Sequence, residues 1–341
     1  CESKDNANSL ILIETTVPPG TCLKVVKPII EAELSKRKLP TNKIKIGHSY
    51  ERVMPGPDYI DSIKNYYRVY SGINDYSADK TEEFLKSIIS TKKFPLTRLI
   101  NTNATEIAKV LENSYRAMNI AFAVEWSRYA EEANVNLYEI VDAIRMRPTH
   151  TNLMYPGIGV GGYCLTKDPL LASWARLNHF AGNEGLNQSE AGVKINDKMP
   201  FYAFQNMKMA FELESLKNKK ILLLGVSYRG DVGDTRYSPV EPFYLQCLNE
   251  DAKIYVHDPF VKYWDEIKLD LKLNLNQLFK EKWDFVVIST GHSLYKSRDF
   301  VDKLSRRKGM LIYDSVGLFS AKQLSKLSKN NKVKVLGRGD I

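Results

Sequence analysis

Between residues 104 and 133 the chain has neither glycine nor proline, and Ile107, Leu111, Tyr115, Met118, Phe122 and Tyr129 recur at helical spacing. A run of that length without a helix breaker folds as one long helix. Short apolar runs alternate with helical stretches on both sides of it, so the expected architecture is a spine helix set between two α/β regions. A second face of the helix carries Glu106, Lys109, Asn113, Arg116 and Ile120, three or four residues apart, so Lys109 and Asn113 project together. Taken alone, that face reads first as a solvated charged stripe.

Ahead of the spine, Ser9-Leu10-Ile11-Leu12-Ile13-Glu14 reads as a buried strand, followed by a proline-glycine turn and a helix over residues 22–34. Strands are expected again over residues 43–48 and 67–72, with a helix over 78–90. This alternation points to parallel α/β structure. No glycine-rich strand-to-helix turn precedes residue 9, so the region reads as the second half of a dinucleotide-binding fold. Beyond residue 219 the alternation returns, with strands over 220–225, 253–257, 284–289 and 310–314 and a helix over 239–248. The fold class is α/β: a partial Rossmann-like domain over residues 1–100, a central helical domain over 101–213 and a C-terminal doubly wound α/β domain over 214–341. The lysine- and asparagine-rich stretch 326–334 reads as solvated surface.

The four cysteines, Cys1, Cys22, Cys164 and Cys247, are too dispersed for a disulfide framework or a metal site, which fits a reducing cytoplasm. No apolar run approaches a membrane span, and a soluble chain is expected. The net charge of +9 is spread along the chain among acidic residues, which favours small anionic ligands over nucleic acid.

Two loops carry the chemistry. Residues 155–169 place four glycines and two prolines around Cys164, with Lys167 and Asp168 just beyond. Glycines let such a loop bend tightly and leave the thiol at its tip. A helix starting after Cys164 would favour the thiolate and return Asp168 to the same face. A buried structural thiol in a glycine-rich turn is the alternative. Residues 225–239 follow a strand and precede a helix, and they supply Arg229, Arg236, a serine and backbone amides. That arrangement suits phosphate, or simply a capped helix start. A cysteine hydrolase is disfavoured, because none of the five histidines has a context that suggests an orienting partner.

Five segments, in order, resemble the nucleotide-sugar dehydrogenases. They are Glu14-Thr15-Thr16-Val17-Pro18-Pro19-Gly20-Thr21, Glu51-Arg52-Val53-Met54-Pro55-Gly56, residues 106–119, residues 157–169 and residues 225–239. The Glu51–Gly56 segment is closest to the UDP-N-acetylhexosamine branch. The resemblance implies an NAD-dependent, four-electron oxidation of a nucleotide-sugar C6 hydroxyl through a Cys164 thiohemiacetal and thioester. It implies catalytic roles for Lys109 and Asn113 at the oxyanion, for Asp168 with Thr16 as its hydrogen-bond partner, and for Glu51 as a base. Thr16, Glu51, Lys167 and Arg236 would contact the cofactor; Arg116, Gly161, Tyr228 and Arg229 would contact the substrate. A homodimer through the central helical domain is also implied, with neither nucleic acid nor membrane as partner.

Three departures stand out. The family's opening GxGxxG unit has no counterpart before residue 9, so the chain is expected to begin inside the cofactor domain. A nucleotide-sugar-binding fragment without turnover is the corresponding alternative. Tyr163 precedes Cys164 where the family has histidine. An arginine that relatives direct at a neighbouring subunit's substrate aligns near His150, with Arg147 as a substitute.

Overall fold

The computed structural model describes residues 9–53, 56, 58–271 and 273–341. Cys1, and Met54 and Pro55 of the Glu51–Gly56 segment, lie outside the described residues. The chain forms two compact units. The first comprises Cys1–Tyr115 and Lys167–Glu190, the second Arg116–Thr166 and Ala191–Ile341.

The first unit holds a four-stranded sheet in the order β1-β2-β3-β4, from β1 (Ile11–Ile13), β2 (Ile46–His48), β3 (Val69–Gly72) and β4 (Thr97–Arg98). Helices α1 (Lys27–Lys36), α2 (Tyr59–Lys64) and α3 (Asp75–Ile88) lie between the strands in the chain. A π-helical turn, Cys22–Val26, leads into α1. Pro28 in the first turn of α1 has no N–H to donate and crowds the carbonyl four residues back, which accounts for the widened turn. Asn74 caps α3 by accepting from the Ser77 amide at 2.8 Å. Ala78 and Leu85 of α3 pack with Ile89 against Tyr70, Leu12 and Leu96. The expected parallel pairing is corrected at one pair. β1–β2 and β3–β4 are parallel, but β2 and β3 are antiparallel. The connection between β2 and β3 carries only the short α2 and turns the chain back beside β2, without the crossover that a parallel neighbour requires.

Three helices pass from one unit to the other: α4 (Thr102–Glu132), α6 (Tyr163–Asn178) and α7 (Asn187–Ala210). Helix α5 (Leu137–Arg145) lies between α4 and α6 in the second unit and is capped by Asn136. On α4 the small side chains Ala117, Ala121 and Val124 are buried, whereas Ile107, Leu111, Tyr115, Phe122 and Tyr129 of the predicted apolar stripe are exposed.

The second unit contains a five-stranded parallel sheet of β5 (Lys220–Leu224), β6 (Lys253–His257), β9 (Phe285–Ile288), β10 (Leu311–Asp314) and β11 (Lys332–Val335), in the order β11-β10-β9-β5-β6. A small antiparallel pair, β7 (Tyr263–Trp264) and β8 (Leu269–Asp270), lies between β6 and β9 in the chain. Helices α8 (Val240–Asn249), α9 (Leu275–Leu278), α10 (Arg298–Ser305) and α11 (Ala321–Leu327) complete the unit. Alternate residues of β5 enter two cores. Ile221 and Leu223 pack with Phe243 of α8 and Phe204 of α7, and Leu222 and Leu224 pack with Phe300 of α10 and Leu327 of α11. Burial on both faces explains the unbroken apolar run. The stretch 326–334 is not simply solvated surface, since Leu327 is fully buried and β11 closes the sheet edge. Strand order reverses at β5, between β6 and β9, and ligands of such sheets bind beyond the carboxyl ends of the strands at that point. Among the described residues no helix is long and apolar enough to cross a membrane.

Candidate active site

In the first unit, one face of α4 gathers most of the predicted catalytic side chains. Glu106 is fully buried; its two oxygens accept the Gly20 amide at 2.6 Å and the Cys22 amide at 2.8 Å. These amides open the helix after Pro19 and have no partner within it. Burial raises the Glu106 carboxyl above its usual range, and burial together with the Glu106 charge pushes up the Cys22 thiol. Gly20 has φ +93, and a Cβ there would lie 2.9 Å from Nδ1 of His179, which is itself 2.7 Å from the Pro19 carbonyl. Glu106 and His179 thus hold the turn that carries Thr16.

Lys109 is buried, with its ammonium donating to the Glu51 carbonyl at 3.2 Å and lying 5.6 Å from the Tyr50 ring centre. The Glu51 carboxylate turns back to accept the Val53 amide. Lys109 therefore meets the backbone of Glu51 and not its carboxylate. Arg52 fixes this loop to α4 with two bonds to Glu112, at 3.1 and 3.0 Å, and within the loop donates to the Tyr50 hydroxyl at 3.1 Å.

Asn113 donates to Oδ2 of the fully buried Asp168 at 2.5 Å. Lys167 Nζ lies 3.0 Å from Oδ1 but outside hydrogen-bond geometry, so that oxygen is buried without a donor. The expected Thr16–Asp168 bond is not formed. Asn113 takes that place because it lies on the adjoining face of α4, while Thr16 is half-buried in its own turn.

In the second unit, Cys164 is exposed in the first turn of α6, which begins two residues earlier than expected, at Tyr163. Asp168 follows one turn later on the same helix, immediately before Pro169. The thiol loop rests on the 225–239 segment. The Gly162 amide donates to the Arg236 carbonyl at 3.1 Å, and a Cβ on Gly161 would lie 2.5 Å from the Tyr228 Cβ. Tyr163 and Tyr237 lie side by side with ring centres 5.7 Å apart. Burial raises the Tyr228 phenol, with the Asp234 and Cys164 charges adding to the effect. Arg236 is not a free anion ligand, because it binds Asp234 through Nε at 2.9 Å and through a second nitrogen at 2.7 Å. That pairing lowers the Asp234 carboxyl. Arg229 stands exposed with no ion pair among the described residues, and so does Arg116 on α4. Arg147 and His150 are exposed on the turn after α5.

Sequence reasoning missed Arg52, Glu112 and the pair Asp258 and His292 behind the 225–239 segment. The only signal of the Asp258–His292 pair is position: Asp258 directly follows β6, and His292 lies just beyond β9.

Residues 103–198 match the central domain of the UDP-glucose/GDP-mannose dehydrogenase family, and residues 222–321 match the UDP binding domain of that family. The chain belongs to this family. It is 30% identical over 340 residues to the UDP-N-acetyl-D-mannosamine dehydrogenase of Methanocaldococcus jannaschii, covering 98% of this chain and 71% of that relative. The NDP-N-acetyl-D-galactosaminuronic acid dehydrogenase of Ralstonia nicotianae is 26% identical, with 93% of this chain and 72% of that protein covered. The structure of UDP-D-ManNAc dehydrogenase from Pyrococcus horikoshii superposes with a TM-score of 0.79 at 27% identity, covering 98% of this chain and 73% of that one. As the dehydrogenase family's fold requires, the architecture is α/β with Rossmann-like sheets and a helical central part.

Proposed function

We propose that this member of the family oxidises the C6 hydroxyl of a UDP-N-acetylhexosamine to the carboxylate, with NAD as hydride acceptor. The observation that carries the reading is the Asn113–Asp168 bond on a buried carboxylate, one helical turn beyond the exposed Cys164 thiol. The names of the relatives support the substrate class.

The residues at the carboxyl ends of β1 and β2 fit a nicotinamide. These strands run parallel, so Thr16 and Glu51 follow them at the same end, where such sheets take dinucleotides. Thr16, Glu51 and Lys167 would hold this cofactor. Arg236, engaged by Asp234, would have to leave that pair to contribute. When bound, NAD would take up a hydride at each of the two oxidations.

The chain's own residues supply the remaining chemistry. The Cys164 thiolate, favoured by its place in the first turn of α6, adds to the carbonyl carbon of the C6 aldehyde, forming a C–S bond and an alkoxide. Lys109 and Asn113 stabilise that oxyanion, which takes a proton to become the thiohemiacetal. At the later thioester, water adds to the carbonyl, loses its proton to a carboxylate and expels the thiolate. Asp168 orients that water, and Glu51 serves as base once its carboxylate leaves the Val53 amide. Gly161, Tyr228, Arg229 and Arg116 hold the nucleotide sugar. Residues 1–100 serve the cofactor, 101–213 the reacting centre and 214–341 the nucleotide. We place the reaction in the cytoplasm, where the thiol stays reduced.

The test supplies UDP-N-acetylmannosamine and NAD to the 341-residue chain and measures uronate and NADH. Two NADH per uronate are expected. Undiminished uronate formation by Cys164→Ala would sink the reading.

A further inference from the structure

The 225–234 segment leaves β5 at the point where strand order reverses, and it carries Tyr228 and the exposed Arg229. An arginine on an irregular loop serves a ligand well only if the loop's backbone is fixed. Here side chains at the ends of both neighbouring strands fix it. Beyond β6, Oδ2 of Asp258 accepts the Val226 amide at 2.9 Å and the Ser227 hydroxyl at 3.3 Å. Its Oδ1 accepts the Phe260 and Val261 amides at 2.8 and 3.1 Å. Beyond β9, His292 Nε2 lies 3.1 Å from the same Asp258 Oδ2, and its Nδ1 accepts the Asp231 amide at 2.9 Å. A backbone amide can only donate, so Nδ1 carries no proton and the ring hydrogen sits on Nε2, facing Asp258. Both side chains are fully buried.

The attachment is reciprocal. Asp231, held at φ 60, accepts the Ser293 amide at 2.8 Å and the Ser293 hydroxyl at 2.5 Å through its carboxylate. The Thr290 hydroxyl donates to the Ser227 carbonyl at 2.7 Å. A Cβ on Gly230 would lie 2.4 Å from the Gly291 carbonyl oxygen, so the two loops touch along their backbones. His292 is shielded from solvent and meets no ligand directly; its effect passes through Asp231 to the turn bearing Tyr228 and Arg229.

We infer that His292, oriented by Asp258, is a positioning residue for nucleoside diphosphate binding, its Nδ1 fixing the Asp231 backbone and with it the Tyr228–Arg229 turn. This rests on the reading of residues 225–239 as the nucleotide site. The His292 ring also packs 5.5 Å from Tyr295 of one core and 5.3 Å from Phe260, so stability and UDP affinity have to be read separately.

The experiment titrates UDP calorimetrically into the full chain and its variants and follows thermal unfolding of each. His292→Leu leaves the Asp231 amide without an acceptor and is expected to weaken UDP about tenfold. His292→Asn offers Oδ1 near the place of Nδ1 and is expected to stay within about threefold of wild type. A lowered unfolding midpoint with unchanged UDP affinity in His292→Leu overturns the inference, as does equal loss in the Leu and Asn variants. If His292→Leu does not fold, Ser293→Ala replaces it; a loss of about threefold is expected, and no loss overturns the inference. A wild-type chain that binds no UDP overturns both this inference and the nucleotide reading. Wild-type binding with an unaffected His292→Leu overturns the inference alone.

Discussion

The side-chain amide of Asn113, on α4, donates to Oδ2 of Asp168, on α6, at 2.5 Å, and Oδ1 of that buried carboxylate has no hydrogen bond. One oxygen is therefore held by a hydrogen bond and the other is buried 3.0 Å from the Lys167 ammonium. Asn113→Ala removes the fixed partner and leaves a buried carboxylate oxygen unpaired. It is expected to lower uronate formation about a hundredfold and to destabilise the fold by roughly 1–3 kcal/mol. Asp168→Asn keeps the shape but loses the charge, so it should lose activity with a smaller change in stability. Steady-state NADH formation and urea unfolding of both variants check this.

The thiols differ in reach. Cys164 is exposed, whereas Cys22 and Cys247 are buried and burial raises both. Brief iodoacetamide treatment at neutral pH is expected to alkylate Cys164 and spare Cys22 and Cys247, with activity lost in proportion. Peptide mass spectrometry of the partly labelled chain, read against residual activity, is the check. Labelling of Cys22 or Cys247 at a rate matching that of Cys164 would contradict it.

What the sequence discloses depends on how local the controlling physics is. Helix α4 was legible within two residues at each end, because it depends on the absence of glycine and proline and on spacing along one element. Strands β5, β9 and β10 were legible as short apolar runs, since burial on both faces marks each residue independently, and the edge strand β6 was legible from its Ile-Tyr-Val run. Strand β11 was not, because its Lys-Val-Lys-Val alternation on a sheet edge looks like surface in a lysine-rich stretch. Pairing direction was equally hidden, and β2 against β3 runs opposite to expectation. At the site, Lys109, Asn113, Cys164 and Asp168 were legible as residue types on helix faces and loops. Their partners were not, since the choice of Asn113 over Thr16 for Asp168, and of the Glu51 carbonyl over its carboxylate for Lys109, is made in three dimensions.

His48 gives the fold a pH dependence of known sign. It is fully buried with Nδ1 2.8 Å from the Thr105 hydroxyl, and burial lowers its pKa from 6.5 to about 4. The unfolded chain therefore binds a proton in a range where the folded chain does not. The resulting stability is complete above about pH 6.5 and is lost as pH falls toward 4. The loss is on the order of 3 kcal/mol. Urea unfolding of wild type and His48→Gln between these limits is expected to show a loss in wild type that the variant lacks. Parallel curves would refute the assignment.

Phe122, Trp126 and Tyr129 form an exposed aromatic row on α4, with ring centres 5.8 Å apart at each step. A contiguous apolar patch of this kind is suited to burial against a second copy of the chain. Wild type is expected to run as a dimer in light scattering, and Trp126→Asp as a monomer with unchanged UDP affinity. A monomeric wild type would exclude this face as the dimer contact.

Gly161 tests whether the thiol loop and the nucleotide loop act together. Its backbone does not demand glycine, since it is absent from the positive-φ residues, so any cost of a side chain is steric. An added Cβ would lie 2.5 Å from the Tyr228 Cβ, 2.7 Å from the Tyr237 carbonyl oxygen and 2.8 Å from Cδ of Pro239. All three obstacles are fixed to backbone and cannot swing away, so the loops must separate by several tenths of an ångström. Separation moves Tyr228 on one side and the start of α6, with Cys164, on the other. Gly161→Ala is therefore expected to weaken UDP binding and slow alkylation of Cys164 together, each by about tenfold, while far-UV circular dichroism stays unchanged. A change in only one of the two would show that the loops move independently, and the packing of Gly161 on Tyr228 would then have no part in placing the nucleophile against the nucleotide.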